Sequence, residues 1–195
     1  TMAKENMNQT EKVAESVNDV VSQILKLQKF AGKFDTRSEE QKNAVVNMEK
    51  ILANKMEEID KIFDNQGTSF ILTEDHVMVN GNKVTEMRNG KMVITGNNKF
   101  IDNVAKTLGT EMTVFQFFDD KLMRVATTIK NFDGSRAVGT TIDRDDEIYK
   151  KIIAGEKYFG RSFVVNQWYV AIYSPIFDSM GTPLGAFYLG LQDDN

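Results

Sequence analysis

The chain has 195 residues, 41% of them hydrophobic, which is enough to bury one sizeable core and argues for one domain with an appendage rather than two domains. It contains no cysteine, which excludes disulfides, thiolate metal sites and a thiol nucleophile. The net charge of −4, with both signs interspersed, argues against a nucleic-acid partner, and no apolar run approaches the ~20 residues of a membrane span.

The first 64 residues have the apolar spacing of helices. Between residues 4 and 34 the apolar positions alternate by four and three, as in a heptad seam. This seam consists of Val13, Val17, Val20, Ile24, Leu27, Ala31 and Phe34. Gly32 and the segment FDTRS predict a break, and Ser38 with Gln41 forms a capping-box pattern that predicts a second helix ending near Asp64. The seam of that second helix consists of Val45, Met48, Leu52, Ile59 and Phe63.

The first predicted helix would span about 45 Å, which is longer than an ordinary domain helix. Two interpretations of this length remain open. The two helices form an antiparallel pair that covers the core, or the first helix is a stalk that also pairs with a second chain. Both interpretations can hold together.

From residue 65 onward the apolar pattern changes to the period of two that is typical of β-strands. The predicted strands are SFILTEDHVMV, NKVTEM, KMVITG, TVFQFF, LMRVATTI, GRSFVVN, WYVAIYSPIF and PLGAFYLGL. Asn80-Gly81 and Asn89-Gly90 predict tight hairpins between the first three. Short helices are predicted at residues 98–108, ended by Gly109, and in DDEIYKKIIAG. The sequence therefore predicts an α+β fold, in which a helical region of residues 1–64 packs on a mostly antiparallel sheet of residues 65–195.

The strand that begins at Trp168 is apolar on both sides. One side presents Trp168, Val170, Ile172 and Ile176, and the other presents Tyr169, Ala171, Tyr173 and Phe177. Such a strand is usually central in its sheet and covered on both faces. The helices would supply one cover, and the hairpins, a ligand cavity or both would supply the other.

Residues that could carry catalysis are sparse. His76 is the only histidine, and neither a second histidine nor a cysteine is present to complete a metal site or a nucleophile-base pair. The sequence contains no P-loop and no GxGxxG pattern. Turns, a helix start and the terminus explain the acidic pairs at 119–120, 145–146 and 193–194. We therefore expect no enzyme, no metal site and no cofactor.

Two arginines on predicted strands are candidates for binding an anion. Arg124 and Thr128 face the same way on one strand, and Arg161 and Phe163 face the same way on another. A guanidinium offers a planar fork of donors that matches a carboxylate, and aromatic walls strengthen this pairing by excluding water. The alternative is that each arginine extends to water or pairs with a nearby aspartate.

Four motifs follow one another within about residues 113–191. They are the DGSRAVGT turn, the AG-x-x-Y-x-GR step, the Y-x-x-x-YSPI strand and the closing G-x-x-Y-x-G strand. In this order and spacing they resemble the single Cache domains that form extracytoplasmic sensors of bacterial methyl-accepting chemotaxis receptors, and the N-terminal heptads are similar to the long membrane-proximal helices of that family. The resemblance implies a PAS-like antiparallel sheet backed by a long N-terminal helix, with membrane spans beyond both ends of this sequence.

The resemblance also implies where a ligand binds. Pockets of this family lie between the central sheet and its covering loops, and they hold small organic acids or amino acids. Carried over to this chain, the candidate ligand-binding residues are Arg161, Phe163, Tyr169 and Tyr173, with Tyr158 near the rim and Arg124, Thr128 and Lys130 on the facing strand. Arg136, in the DGSRAVGT turn, is expected to fasten that turn. Some relatives bind haem through a CxxCH motif, and the absence of cysteine excludes that variant here.

The resulting hypothesis is a periplasmic ligand-sensing domain of a membrane-anchored chemoreceptor. It would bind a small organic acid, form a homodimer through its N-terminal helices in the full receptor, and signal through those helices. A cavity walled by Phe163, Tyr169 and Tyr173 would favour an acid of two to four carbons. A structural module without a small ligand and an enzyme are the competing classes, and a sensor kinase or a cyclase is an alternative form of the parent protein.

Overall fold

The computed structural model of the chain describes residues 2–64, 68–165 and 167–193, without the side chains of residues 2–18 and 34–37. The helices are α1 (Met2–Asp64), α2 (Asn98–Leu108) and α3 (Glu147–Ile153). The strands are β1 (Phe70–Val79), β2 (Asn82–Asn89), β3 (Met92–Val93), β4 (Glu111–Phe118), β5 (Lys121–Thr127), β6 (Thr141–Asp143), β7 (Tyr158–Val164), β8 (Gln167–Phe177) and β9 (Pro183–Gln192). Asn166 of a predicted turn and Asp194 of an acidic pair lie outside the described residues. By its internal contacts the chain divides into two compact units, Thr1–Val46 and Asn47–Asn195.

Helix α1 is continuous through the segment where the sequence predicted a break. It has 63 residues, so the second helix expected after Ser38 is the C-terminal part of the same helix. A glycine inside a helix costs only about 1 kcal/mol, and the segment FDTRS contains no proline, so the helix-forming residues on both sides continue the helix through Gly32. The predicted break was therefore wrong, and an antiparallel pair, which needs two helices, is not formed.

In the unit Thr1–Val46, the described part of the predicted heptad seam is exposed. Val20 is 54% exposed, Ile24 is 48% exposed and Leu27 is 67% exposed. Val13, Val17 and Phe34 of that seam lie outside the described side chains. Exposed large apolar side chains in a regular seam are typical of a surface that pairs with another helix.

In the unit Asn47–Asn195, the remaining part of α1 packs in the main core. Leu52, Met56, Ile59 and Phe63 are each at most 4% exposed. Their spacing of four, three and four residues places them on one face of the helix. Burial of each side chain contributes roughly 1.5–3 kcal/mol. Phe63 also stacks on Phe187 of β9, with ring centroids 5.2 Å apart.

Two antiparallel sheets follow in the same unit. The small one has the order β1-β2-β3, and the large one has the order β6-β5-β4-β9-β8-β7. Asn80 and Gly81 have positive φ, as the predicted hairpin requires. The hairpins were expected, whereas their separation into a sheet of their own and the short strand β6 were not. The architecture is the predicted α+β class.

The two faces of the large sheet have different covers. One face packs against α1, α2 and the small sheet, and it includes Val170, Ile172 and Ile176 of β8. The other face includes Tyr169, Ala171 and Tyr173 of β8, and it is covered by α3 through its buried side chains Ile148, Tyr149 and Ile152. The predicted alternation of β8 is thus confirmed. The hairpins lie on the face of the helices, so α3 supplies the second cover.

Arg136 fastens the DGSRAVGT turn, as expected. Its guanidinium makes two hydrogen bonds to the Asp102 carboxylate of α2, at 2.8 and 2.7 Å. It also donates to the carbonyl oxygen of Thr127 at 2.6 Å. This bidentate pair joins α2 to the end of β5.

Candidate functional site

A cavity of about 740 Å³ opens on the α3 side of the large sheet. Strands β5, β7 and β8 and the segment from β6 to α3 line it. Five of the predicted site residues contribute to its lining: Arg124, Tyr158, Arg161, Phe163 and Tyr173. This volume lies within the ~300–1,000 Å³ range of small-molecule sites. The argument from size for an acid of two to four carbons was therefore wrong.

Arg124 is the deeply buried cation of this cavity. The residue is only 6% exposed, and its guanidinium carbon lies 4.9 Å from the centroid of the Phe115 ring on the neighbouring strand β4. Its Nη1 donates a hydrogen bond to Thr140 Oγ1. Its Nε is buried without a hydrogen-bond partner among the described residues, where Arg124 also makes no ion pair. Burial lowers the pKa of Arg124, although a guanidinium remains charged.

Two buried tyrosines lie beside Arg124. Tyr173 lines the cavity, and its ring centroid lies 5.0 Å from that of Tyr188 on β9. Burial raises the pKa of Tyr173 to about 12 against the opposing effect of the Arg124 charge, and burial raises the pKa of Tyr188 well above its usual value. Both phenols are therefore neutral hydrogen-bond donors at physiological pH. The Tyr188 hydroxyl is buried without a partner in the described part of the chain.

The glycines of two sequence motifs make room for these aromatic rings. A Cβ at Gly190 would lie 2.1 Å from the Tyr188 hydroxyl oxygen, and a Cβ at Gly160 would lie 2.8 Å from the Tyr158 hydroxyl oxygen. In both cases the ring lies along its own strand and covers the glycine two residues later. The spacing Y-x-G in both motifs therefore has a steric cause.

Arg161 lies at the rim of the cavity and is directed to an aspartate. Its Nε is 2.6 Å from Asp193 Oδ2, and its side chain is 50% exposed. Its guanidinium carbon also lies 5.2 Å from the centroid of the Trp168 ring. Asp193 in turn donates its backbone N–H to the carbonyl oxygen of Trp168 at 2.9 Å. Arg161 thus adopts the ion-paired alternative, while Arg124 is the arginine surrounded by aromatic rings.

The geometry agrees with the comparison with known families. The sequence matches the Cache 3/Cache 2 fusion domain over residues 5–195. The chain belongs to this family. Cache domains are extracytoplasmic sensor domains, so this chain is a sensor domain, and the match extends the resemblance from the C-terminal motifs to the N-terminal helix.

Among solved structures, the E. coli DcuS sensor domain is similar to this Cache domain at 14% sequence identity, with a TM-score of 0.35. The similarity covers 50% of this chain and 66% of that domain, which is just under two thirds of it. No curated protein sequence matches the chain. In the described ranges, no helix has an apolar stretch long enough to cross a membrane.

A β-bulge explains why Thr128 and Lys130 of the Cache domain do not join Arg124. In the ladder between β4 and β5, Val125 has no partner and lies between two residues that pair with adjacent positions of β4. The alternation of side chains therefore shifts by one residue after Arg124. Thr128 instead donates its hydroxyl to Glu111, and Lys130 is exposed.

Tyr169 and Phe163 flank the cavity at different depths. Tyr169 is buried on the same face of β8 as Tyr173, but it is not part of the lining. Its hydroxyl donates to Gln167 Oε1 at 3.2 Å. Phe163 is 60% exposed at the rim and packs edge-on against Trp168, with ring centroids 5.4 Å apart.

The sequence analysis missed three residues at or beside this cavity. Tyr188 is the central residue of the G-x-x-Y-x-G motif, and the flanking glycines were the signal that a large ring lies against this strand. Asp146 was assigned to a helix start, which is correct because its Oδ1 accepts the N–H of Ile148 at 2.7 Å. Asp146 and Glu147 also line the cavity, which only the packing of α3 on the sheet reveals.

Proposed function

We propose that this Cache domain binds a small organic carboxylate and that Arg124 is its anchor. The observation that carries the proposal is the buried Arg124 guanidinium, whose Nε has no hydrogen-bond partner among the described residues and which lines an open cavity. A buried charge is costly unless it is paired and hydrogen-bonded. A carboxylate ligand would supply both the opposite charge and the missing acceptor.

The surroundings of Arg124 support a carboxylate over a neutral ligand. Phe115 and Tyr173 exclude water from the guanidinium, which strengthens a charged hydrogen bond. Tyr173 lines the cavity with a neutral hydroxyl that is able to donate to an anion. Arg161 is a second cation at the rim, but its ion pair with Asp193 already neutralises its charge.

We propose further that the parent protein is a membrane-anchored chemoreceptor with this domain in the periplasm. The family supports an extracytoplasmic sensor, and the exposed seam at Val20, Ile24 and Leu27 supports pairing with α1 of a second copy. Signals would pass through α1. A sensor kinase or a cyclase with the same domain remains the alternative form of the parent protein.

We also propose that the domain binds its ligand without catalysing a reaction. His76, the chain's only histidine, is exposed on β1 and does not line the cavity. The described residues contain no cluster of three or more histidine and acidic side chains that could hold a metal ion. General base catalysis and metal catalysis therefore have no candidate residues beside Arg124.

A thermal-shift screen of small carboxylates and neutral amides of the same length tests the binding proposal. A ligand at about 100 times its dissociation constant should stabilise the domain by roughly 2.7 kcal/mol. We expect carboxylates to stabilise the wild type and the matched amides not to do so. The R124Q variant should lose this response, whereas the control R144Q, which removes an exposed arginine outside the cavity, should keep it. A flat response to the whole panel would favour a structural module without a small ligand.

The variant R161Q separates the two arginines. It removes the rim cation and leaves Arg124 in place, so carboxylate binding should change by less than tenfold. Complete loss of binding in R161Q together with normal binding in R124Q would show that Arg161 is the anchor, as the sequence analysis favoured.

A further inference from the structure

The walls of the cavity carry opposite charges at different depths. Arg124 is 6% exposed, whereas the three carboxylates of the lining, Asp143, Asp146 and Glu147, are all exposed. A ligand whose carboxylate reaches Arg124 therefore has its other end on the side where the carboxylates lie. The charge of that other end then decides whether the ligand is attracted or repelled.

Ion pairs within the structure select which of these charges act on a ligand. Asp143 pairs with Lys121 at 2.8 Å, and Arg161 pairs with Asp193 at 2.6 Å. Asp146 and Glu147 make no ion pair among the described residues. The rim thus presents two carboxylates whose charge is not neutralised and no cation that would pair with a second carboxylate of a ligand.

The field of these carboxylates reaches the cavity walls. Burial is the main cause of the raised pKa of Tyr158, and the charges of Glu147 and Asp146 raise it further. Asp146 also contributes to the raised pKa of Tyr173, next to Arg124. The N-cap bond from Ile148 holds the Asp146 carboxylate at the cavity end of α3. Both carboxylates therefore act on the space between the tyrosines and the opening.

We propose that the cavity selects ligands with one carboxylate and a neutral or cationic remainder, and that Asp146 and Glu147 determine this selectivity. A dicarboxylate would place its second negative charge next to theirs, whereas an ammonium group would meet opposite charge. This inference rests on the proposed function, because it takes the first carboxylate to be bound by Arg124.

Three ligands with the same four-carbon frame isolate the charge at the far end. Butyrate has an uncharged end, succinate has a second carboxylate, and 4-aminobutyrate has an ammonium group. Two like charges about 7 Å apart in a half-solvated site repel by an amount that corresponds to about a tenfold change in affinity. By isothermal titration calorimetry, we expect succinate to bind at least tenfold more weakly than butyrate, and 4-aminobutyrate to bind at least as tightly as butyrate. Propionate, malonate and β-alanine repeat the comparison on a three-carbon frame, and hexanoate, adipate and 6-aminohexanoate repeat it on a six-carbon frame.

The double variant D146N/E147Q removes both charges and keeps the shapes of the side chains. Asparagine caps a helix about as well as aspartate, so α3 should remain in place. In this variant the dissociation constants of butyrate and succinate should converge to within about threefold, with butyrate little changed. The control D145N changes the adjacent carboxylate, which does not line the cavity, and it should keep the wild-type order. Salt at 0.5 M should also reduce the discrimination, because the two carboxylates are exposed.

The outcomes separate this inference from the proposed function. If dicarboxylates bind the wild type as tightly as monocarboxylates, the selectivity is overturned while carboxylate binding stands. The same holds if D146N/E147Q keeps the full discrimination, because other residues would then cause it. If none of the acids binds on any frame, the proposed function fails and this inference fails with it.

Discussion

The substitution of Arg124 by methionine should stabilise the ligand-free domain. In the absence of a ligand, the guanidinium is buried with an unpartnered Nε and without an ion pair among the described residues. An unsatisfied buried donor costs about 1–3 kcal/mol, and a buried charge without a counter-ion costs more. Methionine has a similar length and no polar hydrogen to satisfy.

The favourable contacts of Arg124 reduce this gain. The interaction of its guanidinium with the Phe115 ring is worth about 0.5–2 kcal/mol, and its hydrogen bond to Thr140 is worth about 1.5–3 kcal/mol. Thr140 keeps its own hydrogen bond to the carbonyl oxygen of Ala137 at 2.9 Å after the change. The difference between several kcal/mol of cost and these terms leaves R124M about 1–2 kcal/mol more stable than the wild type.

Urea denaturation and thermal unfolding without ligand measure this difference. A gain of 1 kcal/mol raises the melting temperature of a domain of this size by roughly 2–4 °C. The control R144M removes an exposed arginine that pairs with Asp120, and it should change the stability by less than ~0.5 kcal/mol. A loss of more than about 1 kcal/mol in R124M would refute the reasoning, because the guanidinium would then have a structural partner rather than a place reserved for a ligand.

Three other substitutions test the packing around the site and the core. The pKa of Tyr173 is raised from 10.0 to about 12 by folding, so the stability that this group contributes is complete below pH 10 and is lost as the pH rises through 12. Tyr173→Phe should therefore show a smaller loss of stability between pH 10 and pH 12 than the wild type, and equal losses would contradict the burial of this phenol. Gly190→Ala should cost about 1–3 kcal/mol through its clash with Tyr188, and Tyr188→Phe in the same chain should recover part of that cost in denaturant unfolding. Met56→Ala should cost about 2–5 kcal/mol in the same assay, whereas the exposed Val46→Ala should cost less than ~0.5 kcal/mol; similar costs at both positions would contradict the placement of Met56 in the core.

The elements of the large sheet could be predicted because their signals are local. The Asn98–Leu108 helix begins and ends where its polar cap and Gly109 predicted, and Asn97 and Gly109 are its caps. The alternation of β8 predicted both of its faces, since a strand has a fixed period of two. For the same reason the two-sided apolar pattern correctly indicated a second cover on the sheet.

The contents of the site could be predicted only in part. A regular strand would place Thr128 on the same side as Arg124, and only the bulge at Val125, which depends on pairing with β4, reverses this. The direction of Arg161 depends on Asp193, which is distant in sequence and reaches it only after β8 pairs with β9. Such long-range choices are not encoded in local spacing.

The break in α1 failed as a prediction for a different reason. A capping box and a glycine are compatible with a helix end, but they do not force one when no proline is present. The energetic difference between a continuous and a broken helix at this point is about the cost of one glycine.

The most direct test of the account is the nuclear magnetic resonance signal of the Arg124 Nε–H group. The signal is assigned by its disappearance in R124K, and the ¹⁵N-labelled domain is titrated with acetate, propionate and butyrate. The account predicts that at least one of these carboxylates shifts the Arg124 signal and slows its exchange with water, while the signal of Arg144 stays unchanged. Binding of a carboxylate that leaves the Arg124 signal unchanged would contradict the central claim that this buried arginine is the anchor.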